Sequence, residues 1–309
     1  MDTKIVRYIL CRMLGVEAAL LLVPVLVAVI YQEKCGIVFL IPIVILCLLF
    51  WVVGRKRPEH GQIYGKEGMV IVALAWILWS LFGAMPFTLS GYIPSYVDAF
   101  FETVSGFTTT GSSIIPDVEV LPHCLLFWRS FTHWIGGMGV LVFVLVVTSL
   151  DRKNSMHLMR AEVPGPEKDK LVPKAMSTAR ILYGMYLTLT VIEMVFLVIG
   201  GMNLFDSMIF SFGSAGTGGF SNYADSVAHF NSAYIDGVIT VFCALFGVNF
   251  ALFYFMILGD FKSILKKRRA QDIHFADCSC YGSDHAQYPF VISDDWKNLS
   301  AMRFFEVVT

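Results

Sequence analysis

The sequence predicts an all-α polytopic membrane protein, with two repeated units preceded by an extra pair of transmembrane helices. Three observations carry this reading. The apolar residues come in long blocks, the basic residues occupy alternate loops only, and two of the remaining loops share one pattern. Of the 309 residues, 56% are hydrophobic and only 15% are charged, and the mean hydropathy is +0.67. Soluble domains carry about a quarter charged residues, so a water-soluble protein with buried core helices fits poorly. Each block approaches the roughly 20 residues that a helix needs to cross the hydrocarbon core.

Six spans are predicted: Tyr8 to Tyr31, Gly36 to Val53, Gly68 to Phe87, Leu125 to Leu150, Ile181 to Gly200 and Tyr234 to Leu258. Lys4, Arg7 and Arg12 mark the N-terminal side of the first. Arg55, Lys56, Arg57 and Lys66 follow the second span, seven basic residues from Arg152 to Arg180 follow the fourth, and Lys262 to Arg269 follow the sixth. The opposite loops are almost bare. The first holds only Lys34, and the segments 88–127 and 201–258 hold no Lys or Arg. Basic loops stay in the cytoplasm, so the pattern predicts a polytopic inner-membrane protein with a cytoplasmic N-terminus. The basic start followed by an apolar stretch lacks a small-residue cleavage site, which predicts a retained first helix rather than a signal peptide.

A net charge of −1 points to no nucleic-acid partner. The seven cysteines (11, 35, 47, 124, 243, 278 and 280) lie mostly in or beside apolar blocks and form no secreted disulfide framework.

The two bare loops on the outer side carry the function. The first reads SYVDAFFETVSGFTTTGSSIIPD and the second NLFDSMIFSFGSAGTGGFSNYAD. An ungapped shift of 108 positions places Asp98 on Asp206, Thr103 on Ser211, Thr109 on Thr217 and Gly111 on Gly219. Each loop predicts a short apolar helix, starting near Asp98 in the first, that runs into a Thr/Gly-rich stretch. A helix of two or three turns cannot cross a bilayer, so it reads as re-entrant. Extended backbone at that depth is tolerated only where it is buried in protein or lines a watery path. There backbone carbonyls can replace an ion's hydration shell, and the helix C-terminus turns a partial negative charge toward a cation. Ordinary outer loops rich in small polar residues are the plainer reading, and the second copy in register argues against it.

Other polar residues are weighed on the same terms. Arg129, near the outer end of span four, can snorkel or pair with Glu102 or Asp117 to brace the short helix. Gly136, Gly137 and Gly139 either bend that span or admit a neighbouring backbone. His133 reads as a packed histidine. Glu193, in mid-span, must be paired or face the protein interior. His274, Cys278, Cys280 and His285 match no zinc spacing. A membrane-embedded enzyme, or a structural membrane subunit without ion transport, is the rival reading. No nucleophile–base pair, phosphate loop or paired carboxylates support catalysis, so the chain is read as a non-enzyme.

The stretches DAFFETVSGFTTTG, LFWRSFTHWIGGMGVLVF, MRAEVPGPEKDK and GTGGFSNYADS together resemble the membrane subunit of the Trk/Ktr/HKT potassium-transporter superfamily, most closely its bacterial Trk type. The likeness runs from about Gly68 to Asp260, and the two earlier spans match the additional N-terminal pair of Trk-like members. It implies four units of span, pore helix, filter and span around one pore that takes up potassium ions. It also implies a homodimer and a cytoplasmic nucleotide-binding regulatory subunit of the TrkA type. Carried over by position, the filter strands are Thr108, Thr109, Thr110 and Gly111, then Gly216, Thr217, Gly218 and Gly219. Potassium is held by their backbone alone, with Glu102 and Arg129 as structural support.

The expected organisation is a helix pair over 1–67, a first pore-loop unit over 68–150, a cytoplasmic linker over 151–180, a second unit over 181–260 and an atypical tail over 261–309. The tail has no apolar block from Lys266 to Asn298. Its last residues MRFFEVVT resemble AFFETVS, with Phe304, Phe305 and Glu306 on Phe100, Phe101 and Glu102. This predicts a truncated or frame-shifted product that ends in a third pore helix and does not transport by itself.

Overall fold

In a computed structural model, residues 3–54, 65–139, 175–248, 250 and 253 are described, and those with assigned secondary structure are helical, with no strand among them. The expected linker, the RAEVPGP stretch, the His/Cys group and the tail lie outside the described residues. The chain divides into two compact units, Met1–Tyr183 and Gly184–Thr309.

In the first unit, α1 (Thr3–Leu20) and α2 (Leu22–Ile30) form one apolar rod broken at Leu21. Pro24 explains the break. It has no N–H for the carbonyl four residues back, and its ring crowds that turn. A 3₁₀ segment (Lys34–Phe39), α3 (Leu40–Leu49) and a π turn (Phe50–Gly54) return antiparallel against α1. Next come α4 (Gly65–Leu89), α5 (Tyr96–Phe107) and α6 (His123–Gly137). Four stretches are long and apolar enough to span a membrane: Thr3–Ile30, Lys34–Gly54, Glu67–Leu89 and Ile181–Ile199. Val29, Ile37, Val52 and Met69 are each about 70% exposed. Lipid accepts such side chains at no hydrophobic cost, whereas water would not.

The second unit contains most of α7 (Ala175–Ile199), with α8 (Leu204–Ala215) and α9 (Ala233–Gly247). Its core packs Leu197 of α7 with Phe210 of α8 and with Ile235, Ile239 and Cys243 of α9.

Two expected spans are interrupted. The one predicted from Leu125 to Leu150 leaves the helix after Gly137, and Gly139 takes a φ of +76°, a conformation that glycine adopts without penalty. The one predicted from Tyr234 to Leu258 leaves the helix after Gly247, with Val248 extended. Glycine supplies the stop in the first place, and in the second the chain turns extended at Val248. Hydropathy averages over such a stop and does not register it.

A second feature invisible to hydropathy holds the N-terminal pair to α6. Pro122 precedes α6 and offers no side-chain cap. Glu33, some 90 residues earlier, caps it instead. Its carboxylate accepts from the backbone N–H of His123 at 2.8 Å and of Cys124 at 3.0 Å, and contacts His123 Nδ1 at 2.9 Å. Tyr31 stacks on the His123 ring at 4.1 Å. Partial burial raises the Glu33 pKa, but the hydrogen bonds from Cys124 and His123 outweigh this and hold it below the ordinary carboxylate value. A carboxylate with a depressed folded pKa stabilises fully above its ordinary value of 4.5, and loses that contribution as pH falls through the folded value. Glu33→Gln is therefore expected to cost about 1–2 kcal/mol at neutral pH, the usual loss of a cap. The difference should shrink when purified protein is melted below pH 4.5. A gap of equal size at acid and neutral pH would refute the charge-assisted cap.

Candidate functional site

The short helices α5 and α8 each have 12 residues, and their bounds lie 108 positions apart. Each starts at a side-chain cap. Ser95 accepts from the Asp98 N–H, and Asn203 accepts from the Asp206 N–H at 2.8 Å. The first helix thus begins at Tyr96 rather than at Asp98. Asp98 sits in the first turn, where its charge complements the helix dipole.

The C-terminal ends also correspond. Thr109 N–H donates to Gly106 O and Thr110 N–H to Ser105 O; Thr217 N–H donates to Ser214 O and Gly218 N–H to Gly213 O. These are the paired bonds of a Schellman ending, whose turning residue is left-handed and most often glycine. Here it is threonine in both copies, with φ of +55° at Thr109 and +52° at Thr217. A β-branched residue in that region is a true outlier and costs about 1–3 kcal/mol. Gly111 and Gly219 follow, both at φ +75°. Alternation between left-handed and ordinary backbone sends successive carbonyls in directions that neither helix nor strand provides. The expected strand residues Thr108 to Gly111 and Gly216 to Gly219 are these two segments, each at the mouth of its own short helix. Thr108 and Thr110 are exposed and share a hydroxyl contact of 2.8 Å.

Each segment is held by a buried polar brace, and the two braces differ. In the first unit, Glu102 Oε1 accepts from Arg129 Nε at 2.6 Å and from the Ser113 hydroxyl at 3.0 Å, while Oε2 accepts from the Ile114 N–H at 2.9 Å. Glu102 and Arg129 are buried to 1% and 4% exposure. One carboxylate therefore ties α5 to α6 and to the backbone that leaves the Thr/Gly stretch. In the second unit, Phe210 stands 108 positions after Glu102, and Ile239 holds the same place in the 15-residue α9 that Arg129 holds in the 15-residue α6; both lie in the apolar core. The returning segment is caught through its side chains by Asp206 instead, which accepts from Asn222 Nδ2 at 2.5 Å, Tyr223 OH at 3.0 Å and Asn203 Nδ2 at 2.6 Å.

Apolar contacts complete the first setting. Phe107, the last residue of α5, meets Trp76 and Trp79 of α4 and Trp128 of α6 edge to face, at 5.7–6.5 Å. Trp128 donates to the Gly83 carbonyl at 2.9 Å. Gly136 lies so close to the end of α5 that a Cβ there would stand 2.2 Å from the Phe107 oxygen. Its role is close backbone approach, while Gly139 ends the helix. His133 is fully buried. Glu193, also fully buried on α7, lies beside Ser214 of α8 and so faces the protein interior. Sequence reading missed Glu33, Ser113, Asp206, Asn222 and Tyr223. Only the repeated Asp98/Asp206 alignment hinted at one of them.

An all-α polytopic membrane protein with two matched short helices ending in strained Thr/Gly segments has the architecture of a membrane transport protein. The family profile described as "TrkH: Cation transport protein" matches residues 36–276, and the chain belongs to that family. It is 36% identical over 245 residues to the Trk system potassium uptake protein TrkH of Escherichia coli K12, covering 77% of this chain and 50% of that protein. It is 35% identical over 252 residues to the protein of the same name from Vibrio parahaemolyticus, covering 79% and 52%. The crystal structure of the potassium transporter TrkH from Vibrio parahaemolyticus matches with a TM-score of 0.81 at 27% identity, over 100% of this chain and 64% of that one. The chain thus spans about half the length of the curated relatives that it matches.

Proposed function

We propose that this chain supplies two filter strands of a potassium-uptake pore in the cytoplasmic membrane, with Thr108 to Gly111 and Gly216 to Gly219 as the strands. The observation that carries the reading is the repeated backbone strain, with left-handed φ at Thr109 and Thr217 and again at Gly111 and Gly219. Strain that recurs in register at a helix mouth is retained for a purpose. Carbonyls aimed along one path are what a dehydrated cation needs. Potassium is the cargo, bound by backbone oxygens, and Glu102 with Arg129 holds the first strand in place.

Glycines at φ +75° tolerate no side chain without strain. Placed in a full-length relative carrying this half, Gly111→Ser and Gly219→Ser are each expected to reduce the preference for potassium over sodium by about tenfold or more, about 1.4 kcal/mol in relative site energy. Uptake of labelled potassium with competing sodium measures it. Unchanged ion preference in both variants would remove these strands from the pore.

The same reading places the N-terminus in the cytoplasm, on the alternation of basic and bare loops. It takes residues 68–150 and 181–260 as the two pore-loop units, with 1–67 as an added helix pair. The assembled transporter would be a homodimer served by a nucleotide-binding regulator of the TrkA type. Two strands are half of the four that the superfamily implies, so residues 1–309 alone would not complete a filter. Ser113 and Asn222 are both expected on the outer side; a cysteine at Ser113, or at exposed Asp225 beside the buried Asn222, should react with an impermeant maleimide in intact cells, and those at Lys66, Lys168 and Lys267 only after lysis. Reaction at position 168 in intact cells would invert the topology.

A further inference from the structure

Where the helix pair meets α6, two thiols from distant parts of the chain come together. Glu33 is pinned to the His123 and Cys124 amides, which brings the next turn of chain over the start of α6. Cys35, two residues on from Glu33, and Cys124, whose own N–H Glu33 holds, are both free thiols and lie beside each other, near Ser90 at the end of α4. Cys124 is fully buried and Cys35 is partly exposed. The loop carrying Cys35 and the one carrying Cys124 lie on the same side of the membrane, since each is separated from the other by an even number of crossings. On the orientation proposed above, that side is the outer one, where disulfides persist.

We propose that Cys35 and Cys124 are a redox pair that closes to a disulfide on the outer face, tying the N-terminal helix pair to α6. The exposure of the two residues sets the order of events. The Cys35 thiolate attacks the sulfur of an external disulfide, protein or small molecule, forming a mixed disulfide and releasing one thiolate, which takes up the proton that Cys35 lost. The Cys124 thiolate then attacks the Cys35 sulfur and releases the second thiolate, which is protonated in turn. The external disulfide is reduced to two thiols and the protein pair is oxidised, with no further reactant. The reduced form holds this junction by non-covalent contacts, among them the Glu33 cap, the Tyr31–His123 stack and the edge-on packing of Phe39 against Trp128. The oxidised form adds a covalent closure, and because α6 carries Arg129, the closure sits on the helix that braces the first Thr/Gly segment.

The test uses membranes containing the unmodified chain. One portion is treated with oxidised glutathione and one with a phosphine reductant. Both are then denatured, alkylated and digested for mass spectrometry. Oxidation should yield one peptide pair joined through positions 35 and 124, with loss of alkylation at both, while Cys11, Cys47 and Cys243 remain alkylated in both portions. In Cys35→Ser, Cys124 should stay alkylated after oxidation. Full alkylation of Cys35 and Cys124 in the oxidised portion would overturn the proposal, as would protection of Cys124 that survives Cys35→Ser. The side of the membrane is read separately, by an impermeant maleimide on intact, reduced cells. Labelling of Cys35 supports the outer-face assignment. Absence of that label, with the bond still forming in isolated membranes, would overturn the outer face and its oxidant while leaving the pairing established.

Discussion

Arg129→Met is expected to destabilise the protein by about 3–5 kcal/mol, the usual cost of removing one partner from a buried ion pair. The Glu102 carboxylate would keep its bonds from Ser113 and the Ile114 amide, but would lose the 2.6 Å contact that neutralises it. Glu102→Leu should be comparably severe, because it strands the guanidinium and also leaves the Ser113 hydroxyl and Ile114 N–H without their acceptor. The second unit shows what an apolar solution looks like, since Phe210 and Ile239 occupy the corresponding positions within its core. The double variant Glu102→Leu/Arg129→Met should therefore be more stable than Arg129→Met alone. It should remain somewhat below the parent, because the Ser113 hydroxyl and the Ile114 N–H, both on exposed residues, exchange their carboxylate acceptor for water at about 0.5–1.5 kcal/mol each. Thermal melts of all four proteins in one detergent complete the cycle. Strictly additive losses would mean that the pair is not coupled.

Gly136→Ala is expected to be the most damaging single methyl that can be added to the described residues. Its Cβ would fall 2.2 Å from the Phe107 carbonyl oxygen and 2.9 Å from the carbonyl carbon. Backbone cannot yield as a flexible side chain does, so α6 must withdraw from the end of α5, and the cost should exceed the ~1–3 kcal/mol of ordinary overpacking. Among glycines whose Cβ would meet another backbone first, Gly213→Ala, with the Phe220 oxygen at 2.8 Å, should be second. Gly184→Ala and Gly237→Ala meet nothing within 4 Å and should be neutral or stabilising, since alanine is favoured over glycine in a helix by about 0.5–1 kcal/mol. Folded yield and melting temperature rank the four. A Gly136→Ala protein that melts with the parent would show that α6 does not rest on the Phe107 carbonyl.

These glycines also show where reading the sequence stops. GGMG in a span announces a bend or a close contact, and nothing local distinguishes the two. The structure assigns close approach to Gly136 and helix termination to Gly139, because only the first has another backbone against it. The Thr/Gly stretches were legible as a pair through their 108-residue offset. The left-handed threonines were not, because propensity places glycine, rather than a β-branched residue, at such a turn. Arg129 could have met Glu102 or Asp117, and the choice depends on how α5 packs against α6.

The sequence by itself determined the class of protein and the two short helices with their Thr/Gly endings. Those properties follow from local hydropathy, periodicity and repetition, which any stretch of 10–20 residues expresses without its neighbours. Only the tertiary structure decided which groups meet across the chain: Glu33 on the α6 amides, Cys35 on Cys124, Glu102 on Arg129 with Ser113, and Asp206 on Asn222 with Tyr223. The physical reason is common to all four. A buried polar group must find a partner, but its identity depends on which helix faces arrive beside it. The two units show this directly: one catches its returning segment with a glutamate from the middle of the short helix, the other with an aspartate from the first turn.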